Sequence, residues 1–87
     1  MIDMLRTDLG ITTNKYDVRL MQYLESAESE IKEEGITVNP ENVKDQQLVV
    51  MYAAWMWRKR DSMEGMPRML RYMLNNRLMS QKMRGDT

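Results

Sequence analysis

LVVMYAAWMWRKRD, residues 48–61, decides how this chain folds. Ten apolar residues run from Leu48 to Trp57 without a polar break, and Arg58-Lys59-Arg60-Asp61 follows at once. A bilayer span needs about 20 apolar residues, so the run is too short to be one. Val49, Val50 and the aromatics suit a strand, but Met and Ala are plentiful and helical signals flank both sides, which favours a helix. A helical segment that is apolar all round is covered on most of its sides. The stretch therefore reads as the central helix of a small domain. Its three bases complement the negative end of the helix dipole.

Glycine and proline mark out the rest. Gly10, Gly35 and Gly65 each follow a helix-like segment, where a residue of positive φ is wanted. Pro40 and Pro67 each precede one, where a missing N–H costs nothing. Four helices result. The first is short, about 2–9, with Ile2, Leu5 and Leu9 toward one side. The second runs about 15–34, with Asn14 as N-cap and Asp17 as its capping-box partner. Its stripe is Tyr16, Leu20, Tyr23, Leu24, Ala27 and Ile31, at helical spacing. The third begins near Asn39-Pro40, turns Val43 inward and ends near Ser62. The fourth covers about 67–83, with Met66, Met69, Leu70, Met73, Leu74, Arg77 and Leu78 on one face. The connections are short, so the expected fold is all-α, a small bundle of about four helices in a single domain over 1–83. Residues 84–87 are expected to form a frayed tail.

Composition narrows the function. Net charge is zero, but its halves differ: residues 1–47 carry five bases and ten acids, and residues 48–87 carry eight bases and three acids. Such asymmetry points to contacts within one molecule, between copies, or with an outside partner. There is no Cys and no His, so a thiolate zinc site, a thiol nucleophile and an imidazole base are all ruled out. Any catalysis would rest on carboxylates, Lys or Ser; the expectation is a non-enzyme with no cofactor and no metal site. MIDMLRTDLG carries acids and lacks the apolar core of a signal peptide, so the chain is expected to be intracellular when made.

Four groups of residues suggest contacts. Trp55, Trp57, Arg58, Lys59 and Arg60 combine aromatics with cations, which suits stacked bases and phosphates. The plainer reading puts one Trp in the core and the other at an edge. The two lie about 200° apart on a helix, so they cannot share one core face, and an edge Trp is a good protein-interface anchor. Glu25, Glu28, Glu30, Glu33 and Glu34 suit a basic partner or a cation, although a solvated helix face explains most of them. Glu33 and Glu34 resist that explanation, because anions are disfavoured in a last turn by about 0.3–1 kcal/mol each; an external positive partner would account for them. Eleven methionines with no Phe suit an adaptable surface or a Met-filled core. Met69 and Met73 fit the core, whereas Met56, Met63, Met79 and Met83 fall off the simple stripes. Finally, Arg68, Arg71, Arg77, Lys82 and Arg84 make the fourth helix basic, able to grip phosphates or an acidic protein surface.

On these residues the chain resembles the small head–tail connector (adaptor, head-completion) proteins of long-tailed bacteriophages, over about residues 3–78. DVRLMQYLESAESEIKEEG resembles the family's early acidic helix. Pro40 and LVVMYAAWMWRKRD resemble its next helix, with Arg60-Asp61 in an R-E/D position. GMPRMLRYMLNNR resembles its last helix, through Leu70, Leu74 and Arg77. Met stands for many expected Leu, and Trp57 stands where a smaller aromatic is common.

The resemblance implies a virion structural protein made in the host bacterial cytoplasm and placed at the head–tail junction. It implies a homo-oligomeric ring, commonly of about a dozen copies, under the portal protein. DNA passes through such a ring without sequence-specific binding, and a tail protein or second connector docks beyond it. No membrane is involved. Rings are built from head-to-tail contacts between unlike surfaces, and an acidic half and a basic half supply them. The expected interface draws on Trp55, Trp57, Arg58, Lys59, Arg60, Arg68, Arg71 and Arg77 on the basic side and on Glu25, Glu28, Glu33 and Glu34 on the acidic side. The alternative is a small intracellular helical regulator that binds nucleic acid through its basic fourth helix. A lesser one is an adaptor for a single acidic protein.

Overall fold

A computed structural model describes residues 1–60 and 62–85. It consists of α1 (Ile2–Leu9), α2 (Asp17–Glu33), α3 (Val43–Lys59) and α4 (Arg68–Met83), with no strand among the described residues. The fold is a small all-α four-helix bundle. α3 is its hub: it packs on α1, α2 and α4. No residue from Leu48 to Trp57 is exposed, and Val49, Ala53 and Ala54 have no accessible surface at all. The small alanines let neighbouring backbones come close. Leu20, Leu24, Ala27 and Ile31 of α2, Leu5 of α1 and Leu70 and Leu74 of α4 complete the core, together with Ile36 from the α2–α3 connection.

The helix ends differ from expectation in four places. Asn14 does not cap α2; only its carbonyl is used, accepting the Asp17 N–H at 3.2 Å. Asp17 turns instead to Arg6 of α1, which donates at 2.9 and 3.3 Å. A charge-assisted fork outbids a single neutral cap bond. α3 starts at Val43 rather than near Pro40, because Asn42 is its N-cap and accepts the N–H groups of Lys44 and Asp45. Val43 then lies on the outer side of the first turn and is 61% exposed rather than buried. α3 ends at Lys59, not Ser62. Gly65 has no positive φ; the glycines that do are Gly10, Gly35 and Gly85. Gly85 follows the Arg84 C-cap of α4, so the expected tail begins with an ordered turn. Asp61, of the Arg60-Asp61 pair, and Asp86-Thr87 lie outside the described residues.

On α4, Leu70 and Leu74 are buried, Met66, Met73, Arg77 and Leu78 half-buried, and Met69 63% exposed. Met69 was expected in the core stripe. It lies about 100° round the helix from Leu70, at the rim of an over-wide stripe.

Candidate interaction surfaces

Neither Trp reaches the fully buried core, and neither stands out bare. Trp57 is half-buried at the C-terminal end of α3. Its ring meets Tyr16 and Tyr23 edge-on, with centroids 5.8 and 5.7 Å away. The Arg60 guanidinium lies 3.9 Å above it and also donates to the Trp57 carbonyl. Trp55, on the other side, meets Tyr52 edge-on at 5.4 Å and donates its indole N–H to the Gly65 carbonyl at 3.1 Å. Lys59 sits 4.2 Å from its ring centroid. Each Trp is thus bound on one side by aromatics of its own chain and roofed by a cation. Arg58 reaches across to α1, where Asp8 accepts through both its carbonyl and its carboxylate at 3.4 Å.

The basic residues of α4 divide into two sets. Arg71 and Arg77 face the rest of the molecule. Arg71 donates two bonds to Glu34, at 2.7 and 3.2 Å. This corrects the expectation of an external partner for Glu34: α4 brings the cation that offsets its unfavourable place at the end of α2. Glu33, beside it, is exposed. Arg77 donates to Asp45 at 2.7 and 3.1 Å and to the Thr37 carbonyl at 2.8 Å. Arg68 and Lys82 are exposed, and neither makes an ion pair among the described residues. On α2, Glu25, Glu30 and Glu33 are exposed and Glu28 is half-buried, and none of the four makes an ion pair among the described residues.

Sequence reasoning missed the polar clasp under α4. Asp45 is 2% exposed and Gln81 is 2% exposed. Asp45 accepts the Asn39 N–H at 2.8 Å besides the Arg77 fork. Gln81 accepts the Thr37 N–H and donates to the Gly35 carbonyl, both at 2.8 Å. Burial pushes the Asp45 carboxyl up, but the Arg77 and Asn39 hydrogen bonds and the charges of Arg77 and Arg84 outweigh it. Its pKa therefore lies below the ordinary 3.8. No buried polar side-chain atom is left unsatisfied among the described residues. The missed signal was positional. Asp45 falls four residues before Val49 and Gln81 seven after Leu74, so both are polar residues on apolar stripes.

Two open grooves flank α3. One, of about 530 Å³, lies between α1 and α3 and has Met4, Val50 and Met51 with Asp3 and Asp8 along it. The other, of about 450 Å³, lies between α3 and α4 beside Asp45 and Arg77. Among the described residues no cluster of acids is placed to hold a metal ion, and no helix is long and apolar enough to cross a membrane. No protein-family model, no curated protein and no solved structure matches the chain.

Proposed function

We propose that this chain is a structural subunit of a phage head–tail connector ring, docking under the portal, extending the DNA channel and joining the head to tail components. The order of its parts supports the reading: an acidic helix, a Pro-containing turn, an apolar helix ending in aromatics and bases, and a basic last helix. One observation carries it furthest. α2 turns Glu25, Glu30 and Glu33 outward, and α4 turns Arg68 and Lys82 outward beside bare Met and Tyr side chains. A head-to-tail assembly needs two unlike, complementary surfaces on one subunit. The nucleic-acid regulator is less well supported, because Arg71 and Arg77, two of α4's four bases, are already held by Glu34 and Asp45.

Native mass spectrometry with negative-stain imaging, across protein and salt concentration, tests the proposal. Closed rings are expected, weakening as salt screens the exposed charges. A chain that stays monomeric and binds free duplex with a steep salt dependence overturns the connector reading in favour of the regulator.

A further inference from the structure

The outer side of α4 carries a second stripe, separate from the one that faces the core. Met69, Tyr72, Asn76, Met79 and Met83 follow one another at spacings of 3, 4, 3 and 4. All five are exposed, and the three outer methionines and the tyrosine are 60–81% accessible. That spacing is the a/d seam of a helix that packs against another helix. A bare apolar row at this spacing marks a contact surface more than a solvated face. Arg68 and Lys82 border it on one side.

α2 has a matching row on its own outer side. Val18, Met21, Glu25, Glu28 and Lys32 repeat the 3, 4, 3, 4 spacing, and all but the half-buried Glu28 are exposed. Val18 is 76% and Met21 54% exposed. α2 carries five acids against two bases, whereas α4 carries four bases and no acid. We infer that the outer seam of α4 packs on the outer row of α2 of a second copy of this chain. Charge decides between the possible pairings. α4 against α4 offers no anion to Arg68 or Lys82, and in the antiparallel arrangement sets one against the other. α4 against α2 brings them to a helix of net negative charge, on which Glu25, Glu30 and Glu33 are exposed and have no ion pair among the described residues. The middle of each row is polar, Asn76 on one and Glu25 on the other. With the midpoints aligned, the Asn76 amide donates to the Glu25 carboxylate whichever way the helices run. A polar residue at the centre of such a seam fixes its register. Because the two faces differ, the contact is head-to-tail and can repeat from copy to copy. The inference deepens the connector reading by naming the faces that meet, and rests on it only for closure into a ring.

Cysteine cross-linking of the full chain tests the pairing. The chain has no Cys of its own, so each introduced thiol is unique. Val18→Cys is mixed in turn with Met69→Cys and with Met83→Cys and oxidised; circular dichroism checks that each variant is folded. The expected result is a mixed disulfide with one of the two, since parallel and antiparallel docking bring different ends of α4 to Val18. Arg68→Glu with Lys82→Glu is expected to lose assembly, and mixing it with Glu25→Lys, Glu28→Lys protein to restore it. Disulfides formed mainly between two α4 cysteines overturn the pairing in favour of a symmetric contact. Rings that form without a mixed disulfide overturn the pairing and leave the connector reading standing. A monomer that shows no cross-link at any concentration overturns the pairing. If it also binds duplex steeply with salt, it overturns the connector reading too.

Discussion

α2 and α4 both pack against α3, yet they are held by different forces. α2 buries Leu20, Leu24, Ala27 and Ile31 in one unbroken stripe. α4 buries two leucines, with Met73 and Leu78 half-buried against the core, and adds a set of polar holds: Arg71 on Glu34, Arg77 on Asp45 and Thr37, and Gln81 on Gly35 and Thr37. Apolar burial is non-directional and tolerates small shifts. A hydrogen-bonded clasp works in one geometry and leaves costly unpaired groups when it opens. α1, α2 and α3 thus form the body of the domain. α4 is a specifically seated arm whose outer side remains available.

The largest effect is expected from emptying the body. Leu20→Ala removes a side chain with no accessible surface and should cost about 2–5 kcal/mol. Urea unfolding followed by circular dichroism should show one transition moved to lower urea, with all helices lost together. Loss of α4 alone, with α1, α2 and α3 unfolding at the unsubstituted midpoint, would contradict the division into body and arm, because Leu20 belongs to the body.

Arg77→Met should come next, at about 3 kcal/mol, because it strands a carboxylate that is only 3% exposed. Hydrogen exchange should show lost protection over α4 before α2. Acid should act on the same clasp. The folded pKa of Asp45 is depressed, so its contribution is fully present above the ordinary carboxyl value and is lost as pH falls through the lower folded one. α4 should therefore loosen below about pH 4, and Asp45→Asn should flatten that part of the pH profile.

The difference between body and arm also explains what was legible beforehand. The run Leu48–Trp57 announced a covered helix because it offers no polar side to water. The stripe of α2 was equally plain. The clasp was not, because Asp45 and Arg77 lie 32 residues apart and each passes for an ordinary surface charge in its own helix. Asn42 was hidden in another way: several residues before Val43 could cap, and the choice falls where Asp45 can also take the Asn39 N–H. Met69 was misread because α4 is apolar on two sides, and one wide stripe was drawn where there are two narrow ones. The charge halves were visible, but how the fold divides them was not: Glu34 and Asp45 are used within the chain, whereas Glu25 and Glu33 face outward.

Gly35, in the α2–α3 connection, is where the body meets Gln81 and Leu78 of the arm, and should give a smaller effect. Its φ is +96°, and a Cβ there would meet only the Leu78 side chain, at an ordinary 3.5 Å. Gly35→Ala therefore costs backbone strain without a clash, about 1–2 kcal/mol. Thermal unfolding should fall accordingly. Gly10→Ala, whose Cβ meets nothing, should cost a similar amount at φ +71°. A much larger loss at Gly35 would mean that the Gln81 bond to its carbonyl is strained as well.

Glu34→Gln should have the least effect and sharpen the comparison most. The Arg71–Glu34 pair is 46% and 29% exposed, so water and salt screen it, and its loss should cost about 0.5 kcal/mol or less. The amide keeps one acceptor for Arg71 and removes an anion from the end of α2, which the helix dipole favours by a few tenths of a kcal/mol. The two effects oppose each other, so the urea midpoint should barely move at moderate salt. At low salt, where the ion pair is strongest, the variant should be measurably the weaker. If Glu34→Gln instead loosened α4 as much as Arg77→Met, α4 would be held chiefly by its exposed pair, and the buried clasp of Asp45, Arg77 and Gln81 would not be what seats it.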